Sequence, residues 1–112
     1  MRAFADIACA TVIAAIAASS AAAQERRDAV TTGRDLALQL YSGCHLVTPG
    51  QRRPIAGGAP SFQEIARRPE STEFALRNVM RAPHPIMPTL ILSPDEADDI
   101  IAYILSLKRG PQ

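Results

Sequence analysis

The sequence contains no tryptophan, and aromatic residues make up only 4% of its 112 residues. This composition excludes the aromatic stacking platforms on which single-stranded nucleic acids bind. Neither sign of charge predominates, since 12 Lys and Arg residues balance 11 Asp and Glu residues and the formal net charge is +1. Nucleic-acid-binding domains usually carry a strong basic excess. We therefore expect no nucleic-acid partner, and the length allows a single small domain.

The first part of the chain has the arrangement of a secretory signal peptide. Arg2 supplies a positive start, residues 7–18 are apolar, and small residues lead up to Ala23 before the polar Gln24. We predict a signal peptide over residues 1–23 that is cleaved after Ala23 and exports the protein to the periplasm. The alternative is an uncleaved anchor, but a spanning helix needs about 20 apolar residues, and Asp6 interrupts this segment further. After cleavage, we expect no membrane span.

Cysteine is scarce, which limits how the domain can be stabilised. Cys9 lies in the apolar part of the predicted signal, so Cys44 would be the one thiol of the exported chain. A single thiol cannot form an internal disulfide; it is free, paired between chains or covalently used in another way. Small domains without disulfides rarely fold well unless a metal or cofactor supports the core. The sequence therefore favours a bound group.

The first helix is expected to follow a flexible lead-in over residues 24–32. Thr32 and Asp35 resemble the two ends of a capping box, so the helix should begin near Thr32. The run Ser42-Gly43-Cys44-His45 should end it. At helical spacing, its apolar face consists of Leu36, Ala37, Leu40 and Tyr41.

Three further helices are indicated by their capping residues. Ser61 with Glu64 opens a short helix over residues 62–68, and residues 71–73 open a third helix that ends near Arg81. Ser93 with Pro94 opens the last helix. The expected apolar faces are Phe74, Leu76, Val79 and Met80 in the third helix and Ala97, Ile100, Ile101, Ile104 and Leu105 in the last. Pro-rich loops cover residues 46–60 and 82–92, and no strand is indicated. The fold class is therefore all-α, with about four helices.

The adjacent pair Cys44-His45 is the candidate functional site. A thiol beside an imidazole is a nucleophile or ligand pair by type, but the dipeptide alone is a weak signal. Its specific form is Cys-x-x-Cys-His, in which two thiols attach a c-type haem and the histidine binds the iron. Here Tyr41 stands at the position of the first cysteine, and a phenol cannot form the thioether.

Over residues 33–109 the sequence resembles the small class I c-type cytochromes, especially those of alphaproteobacterial type. The resemblance rests on the order and spacing of four segments, which are Gly33-Arg34-Asp35-Leu36-Ala37, Ala59-Pro60-Ser61-Phe62, His84-Pro85-Ile86-Met87-Pro88 and the last helix from Leu92 to Lys108. Ala37 stands where the family has an aromatic residue in its first helix. Gly33 and Tyr103 are therefore expected to form the crossing of the first and last helices.

The resemblance implies a class I cytochrome c domain over residues 33–109, with helices and Pro-rich loops wrapped around one haem c group. His45 would be the proximal iron ligand and Met87 the distal one, while Cys44 would hold the haem by a single thioether. Met80 and His84 are competing candidates for the sixth position. Plainer interpretations stay open: an unmodified thiol at Cys44, a surface histidine at His45 and a core-filling methionine at Met87.

Iron with both axial positions filled has no open site for substrate, so the resemblance implies a one-electron carrier and not an enzyme. The expected partners are redox proteins, for example membrane-bound oxidase or reductase complexes, and we expect a monomer. A positive face could steer an acidic partner if the arginines of the loops and short helices gather, namely Arg52, Arg53, Arg67, Arg68, Arg77 and Arg81. Two alternatives stay open. One is a cytochrome-like accessory or interaction module without covalent haem, and the other is a ligand-sensing or peroxidase-like haem protein in which Met87 dissociates.

Overall fold

The fold was analysed in a computed structural model that describes residues 2–54, 58–82 and 90–110, with side chains from residue 11 onward. Four helices follow one another along the chain. They are α1 (Arg2–Tyr41), α2 (Phe62–Arg67), α3 (Glu73–Arg81) and α4 (Pro94–Ser106), and a 3-10 turn (Leu107–Arg109) continues α4. Since these ranges contain no strand, the predicted all-α fold with about four helices is confirmed.

Helix α1 begins much earlier than the sequence indicated. Residues 24–32, which we expected to form a flexible lead-in, are helical, and the supposed cap near Thr32 lies inside the helix. The reason is local: Ala, Gln, Glu and Arg are good helix formers, and the Gln24 amide donates to the Asp28 carboxylate one turn later at 2.8 Å. Residues 11–28 are exposed throughout, and burial begins at Ala29 and Val30. Within the described residues, no helix combines the length and apolarity that a membrane crossing requires.

The other three helices begin where their caps predicted. Ser61 and Glu64 form a reciprocal capping box at α2, and Ser93 and Glu96 form another at α4. The Thr72 hydroxyl accepts from a main-chain N–H in the first turn of α3 at 3.2 Å. A side-chain cap stabilises a helix by about 1 kcal/mol, so short-range chemistry fixes these starting points.

The core lies where α1 crosses α4, and α2 and α3 also pack against α4. A Cβ placed on Gly33 would lie only 1.8 Å from the Asp99 carbonyl oxygen and 2.8 Å from the Ile100 nitrogen. The two main chains touch there, which confirms Gly33 at the helix crossing. The buried apolar residues of the described chain are Ala37, Tyr41, Val47, Phe62, Ala66, Leu76, Ile100, Ile101, Tyr103, Ile104 and Leu107.

Three residues expected in the core are exposed. Leu40 on α1 is 40% exposed, and Phe74 and Val79 on α3 are 75% and 47% exposed. On α3 the pair that faces the core is Leu76 and Met80, four residues apart and therefore on one side of the helix. Phe74 and Val79 are exposed, although Val79 also lies one turn from Leu76, so the core face of α3 is narrower than its apolar content suggested.

Candidate functional site

The candidate site begins where α1 ends. The Tyr41 carbonyl accepts hydrogen bonds from the main-chain N–H groups of Cys44 at 3.0 Å and His45 at 2.8 Å. The chain therefore turns tightly around this carbonyl immediately after the helix. In this turn Cys44 has an exposed, free thiol, and the adjacent His45 is half-buried.

The His45 imidazole is held by a carbonyl fifteen residues further along the chain. Its Nδ1 lies 2.7 Å from the Pro60 carbonyl oxygen. A carbonyl oxygen only accepts hydrogen bonds, so Nδ1 must carry the proton. In the neutral ring this leaves the lone pair on Nε2, and a hydrogen bond of this kind orients metal-binding histidines. The Pro60 carbonyl thus fixes the orientation of the His45 ring and the tautomer of its neutral form.

An aromatic cluster surrounds the imidazole. The Phe62 ring centroid lies 5.5 Å from that of His45 and 5.7 Å from that of Tyr41, and Tyr41 meets His45 edge-on at 6.2 Å. Such tilted and edge-on contacts are favoured aromatic geometries. Tyr41 is only 6% exposed, and burial raises the pKa of its phenol, so the ring stays neutral. The residue at the first-cysteine position is therefore part of the core.

The segment after His45 is tied down by groups that are distant in sequence. The main-chain N–H of Phe62 donates to the Leu46 carbonyl at 2.9 Å, and the Tyr103 hydroxyl donates to the Val47 carbonyl at 2.7 Å. The Gln51 side chain bonds the main chain both before and after Cys44 and His45. As a result, contacts from α2, α4 and Gln51 restrain the loop that follows His45.

Comparison with known proteins identifies the family of this chain. No protein-family model and no solved structure matches the chain. It is similar to a protein named cytochrome c-552 from Bradyrhizobium diazoefficiens, with 45% identity over 76 residues that cover 68% of this chain and 72% of the relative. This chain belongs to the class I c-type cytochromes. The family that the sequence resembles is thereby confirmed, and with it an electron carrier with a haem c cofactor.

The residues at the end of α1 fit a c-type haem group. The donor set pairs an imidazole, whose Nε2 has the lone pair in the neutral ring, with an exposed thiol on the preceding residue. A c-type haem uses both kinds of group in such a segment, an imidazole for the iron and thiols for the thioethers. Tyr41 offers no second thiol and is turned into the core. The turn therefore contains one thiol, that of Cys44.

Of the three candidate ligands for the sixth iron position, the structure describes Met80. Met87 and His84 lie outside the described residues. Met80 is on α3, half-buried, and packs against the core, as expected of a methionine that fills space. The assignment of Met87 stays a prediction.

Some arginines of the loops and short helices lie beside acidic side chains. Arg77 pairs with Glu73 at 2.9 Å and also with Asp98, and so joins α3 to α4. Arg53 and Arg68 line one open groove together with Glu64. Nearby acids thus offset part of the positive charge, and the expected face for an acidic partner is weaker than the residue count suggests.

Several contacts of the site and of the adjoining loop could not be predicted from the sequence. It marked Pro60 as part of a loop-to-helix junction but gave no indication that its carbonyl bonds His45. Tyr103 was expected at the helix crossing, and its hydroxyl also reaches the Val47 carbonyl. Gln51 carried no signal at all, because a glutamine within a loop has no diagnostic spacing.

Proposed function

We propose that this cytochrome is an exported one-electron carrier that works in the periplasm. It carries one haem c, attached by a single thioether at Cys44, with His45 and Met87 as the axial iron ligands. When bound, the haem iron alternates between its ferrous and ferric states and supplies the redox chemistry. Its partners are redox proteins, for example membrane-bound oxidase or reductase complexes, and the carrier acts as a monomer.

The hydrogen bond between His45 Nδ1 and the Pro60 carbonyl is the observation that carries this proposal. Its 2.7 Å length fixes both the tautomer and the direction of Nε2. A surface histidine without a ligand role would gain little from such a restraint, whereas a metal-binding histidine needs it. The same carbonyl increases the basicity of the ring and so strengthens its bond to iron.

The exposed Cys44 thiol supplies the covalent attachment. Its S–H would add across one vinyl double bond of the haem, with sulfur bonding to one vinyl carbon and the hydrogen passing to the other, an addition that needs no oxidant. Tyr41 has no thiol to offer, so the second vinyl group would keep its double bond.

Met87 completes the coordination in this proposal. A thioether is a soft ligand that favours reduced iron and raises the reduction potential. With both axial positions occupied, no substrate can bind the iron, which supports an electron carrier over an enzyme. The Met-Pro pair at residues 87–88 resembles the family segment that provides this ligand.

The visible spectrum of the holoprotein tests the attachment. In alkaline pyridine, one free vinyl group should shift the absorption bands to longer wavelength than those of a two-thioether cytochrome. The haem should stay with the protein in acid acetone, and Cys44→Ser should make it extractable. Extractable haem in the wild-type protein would mean a non-covalent site. A protein without haem would favour the alternative of an accessory or interaction module.

Tyr41→Cys provides a complementary test, since it completes the Cys-x-x-Cys-His signature. We expect the ordinary two-thioether spectrum and a higher yield of holoprotein. Because the Tyr41 ring is buried, this variant also removes core volume. Tyr41→Phe is the matched control: it keeps the ring and should keep the red-shifted spectrum. A normal spectrum in Tyr41→Phe would contradict the single thioether.

A further inference from the structure

Gln51 makes three hydrogen bonds to the main chain around the proposed attachment site. Its amide nitrogen Nε2 donates to the Ser42 carbonyl at 3.1 Å and to the His45 carbonyl at 3.2 Å. Its Oε1 accepts from the Val47 N–H at 2.9 Å. The side chain is half-buried, so its partners are partly shielded from water.

These contacts enclose the Cys44-His45 pair. Ser42 precedes the pair, and Val47 follows it by two residues. The Ser42 carbonyl lies just beyond the end of α1, in a region where carbonyl groups have no helical partner. By satisfying groups on both sides, Gln51 limits how far the Cys44 thiol can turn relative to the His45 ring.

We infer that Gln51 is a positioning residue for haem attachment and ligation. This inference rests on the proposed function, because it concerns the same thiol and imidazole. Gln51 acts through the main chain: it holds Cys44 exposed while His45 keeps its bond to Pro60. An amide is suited to this role because it combines two donor hydrogens with an acceptor oxygen.

Two substitutions separate these functions of the amide. Gln51→Ala removes all three hydrogen bonds. Gln51→Glu keeps an acceptor for the Val47 N–H but loses both donors, and its carboxylate faces the two carbonyls. Tyr103→Phe is the matched control, because it removes one buried hydrogen bond to the same loop, at the Val47 carbonyl, without touching residues 42–45.

The readouts are the fraction of exported protein whose haem resists acid acetone, and the amide hydrogen exchange rate of Val47. Each lost hydrogen bond lowers the equilibrium constant for forming the held loop conformation on the order of fivefold. We expect the attached fraction to fall by at least that factor in Gln51→Ala and in Gln51→Glu. Val47 exchange should accelerate by a similar factor in Gln51→Ala and stay near the wild-type rate in Gln51→Glu. Tyr103→Phe should lower the unfolding midpoint and keep the attached fraction.

The outcomes distinguish the inference from the proposed function. Attached haem in wild-type protein together with unchanged fractions in both Gln51 variants would overturn only the inference. Equal losses in Tyr103→Phe and the Gln51 variants would also overturn it, because general loop stability would then explain the effect. Wild-type protein without haem would overturn the proposed function and the inference with it.

Discussion

Replacing Gly33 by alanine should destabilise the protein through the crossing of α1 and α4. The added Cβ would lie 1.8 Å from the Asp99 carbonyl oxygen and 2.3 Å from the carbonyl carbon. Both are main-chain atoms, so no side chain can rotate away. To restore ordinary contact, the two helices must separate by roughly 1.5 Å, a large movement in a close-packed interior.

The cost can be estimated from the opposing terms. Alanine favours the helix over glycine by roughly 1 kcal/mol, whereas overpacking costs about 1–3 kcal/mol or more. Separation also loosens the packing of Ala37, Ile100 and Ile101, which are fully or almost fully buried, and each lost apolar contact adds to the penalty. We expect a net loss of about 2 kcal/mol or more, which lowers the melting temperature of a domain of this size by at least about 10 °C.

Thermal and urea unfolding of the holoprotein, followed by far-UV circular dichroism, measures this loss. Gly50→Ala is the matched control, because a Cβ on Gly50 meets nothing within 4 Å, and it should stay within about 0.5 kcal/mol of wild type. If Gly33→Ala were as stable as Gly50→Ala, the close approach of the two helices would be refuted.

Three further predictions concern the ligand, the haem and acid stability. Met87→Ala should abolish the weak charge-transfer band at the red end of the visible spectrum and lower the midpoint potential, because a soft ligand is lost; loss of the band in Met80→Ala instead would reassign the ligand. Protein made without haem should show low helicity by circular dichroism, since the core is small, and a fully helical apoprotein that unfolds cooperatively would contradict this. The Glu64 carboxylate has a pKa below its ordinary 4.5, owing first to the Ser61 main-chain N–H and hydroxyl and then to nearby arginines. The ionised Glu64 carboxylate therefore contributes its full stabilisation of the folded state above pH 4.5, and this contribution is lost as the pH falls through the lowered pKa. The urea midpoint should consequently fall less on acidification in Glu64→Gln than in wild type.

The sequence predicted those parts of the fold that depend on short-range chemistry. Ser61, Thr72 and Ser93 mark the starts of α2, α3 and α4 because each cap acts within three residues. The start of α1 was missed because Thr32 looks like a cap, although nothing before it stops the helix. The exposure of Phe74 depends on how α3 is rotated against α4, which is a tertiary property.

The difference between local and tertiary contacts also explains which parts of the site could be predicted. Cys44 and His45 could be found because they are adjacent and belong to a known signature. The Pro60 carbonyl could not, since every residue has a carbonyl and only the fold decides which one reaches the imidazole. Gln51 acts through three main-chain groups, and a contact of this kind leaves no trace in the spacing of residue types.

The pairing of the first and last helices has a consequence for the order of events during folding. Because α1 packs most extensively on α4, the main core cannot close until α4 has been synthesised. Closing a contact over so much intervening chain is also slow compared with local helix formation. The turn that contains Cys44 and His45 follows α1 directly and is closed by hydrogen bonds to the Tyr41 carbonyl, so it depends on near neighbours in the sequence. The fold thus allows the turn that exposes the thiol to form ahead of the long-range packing.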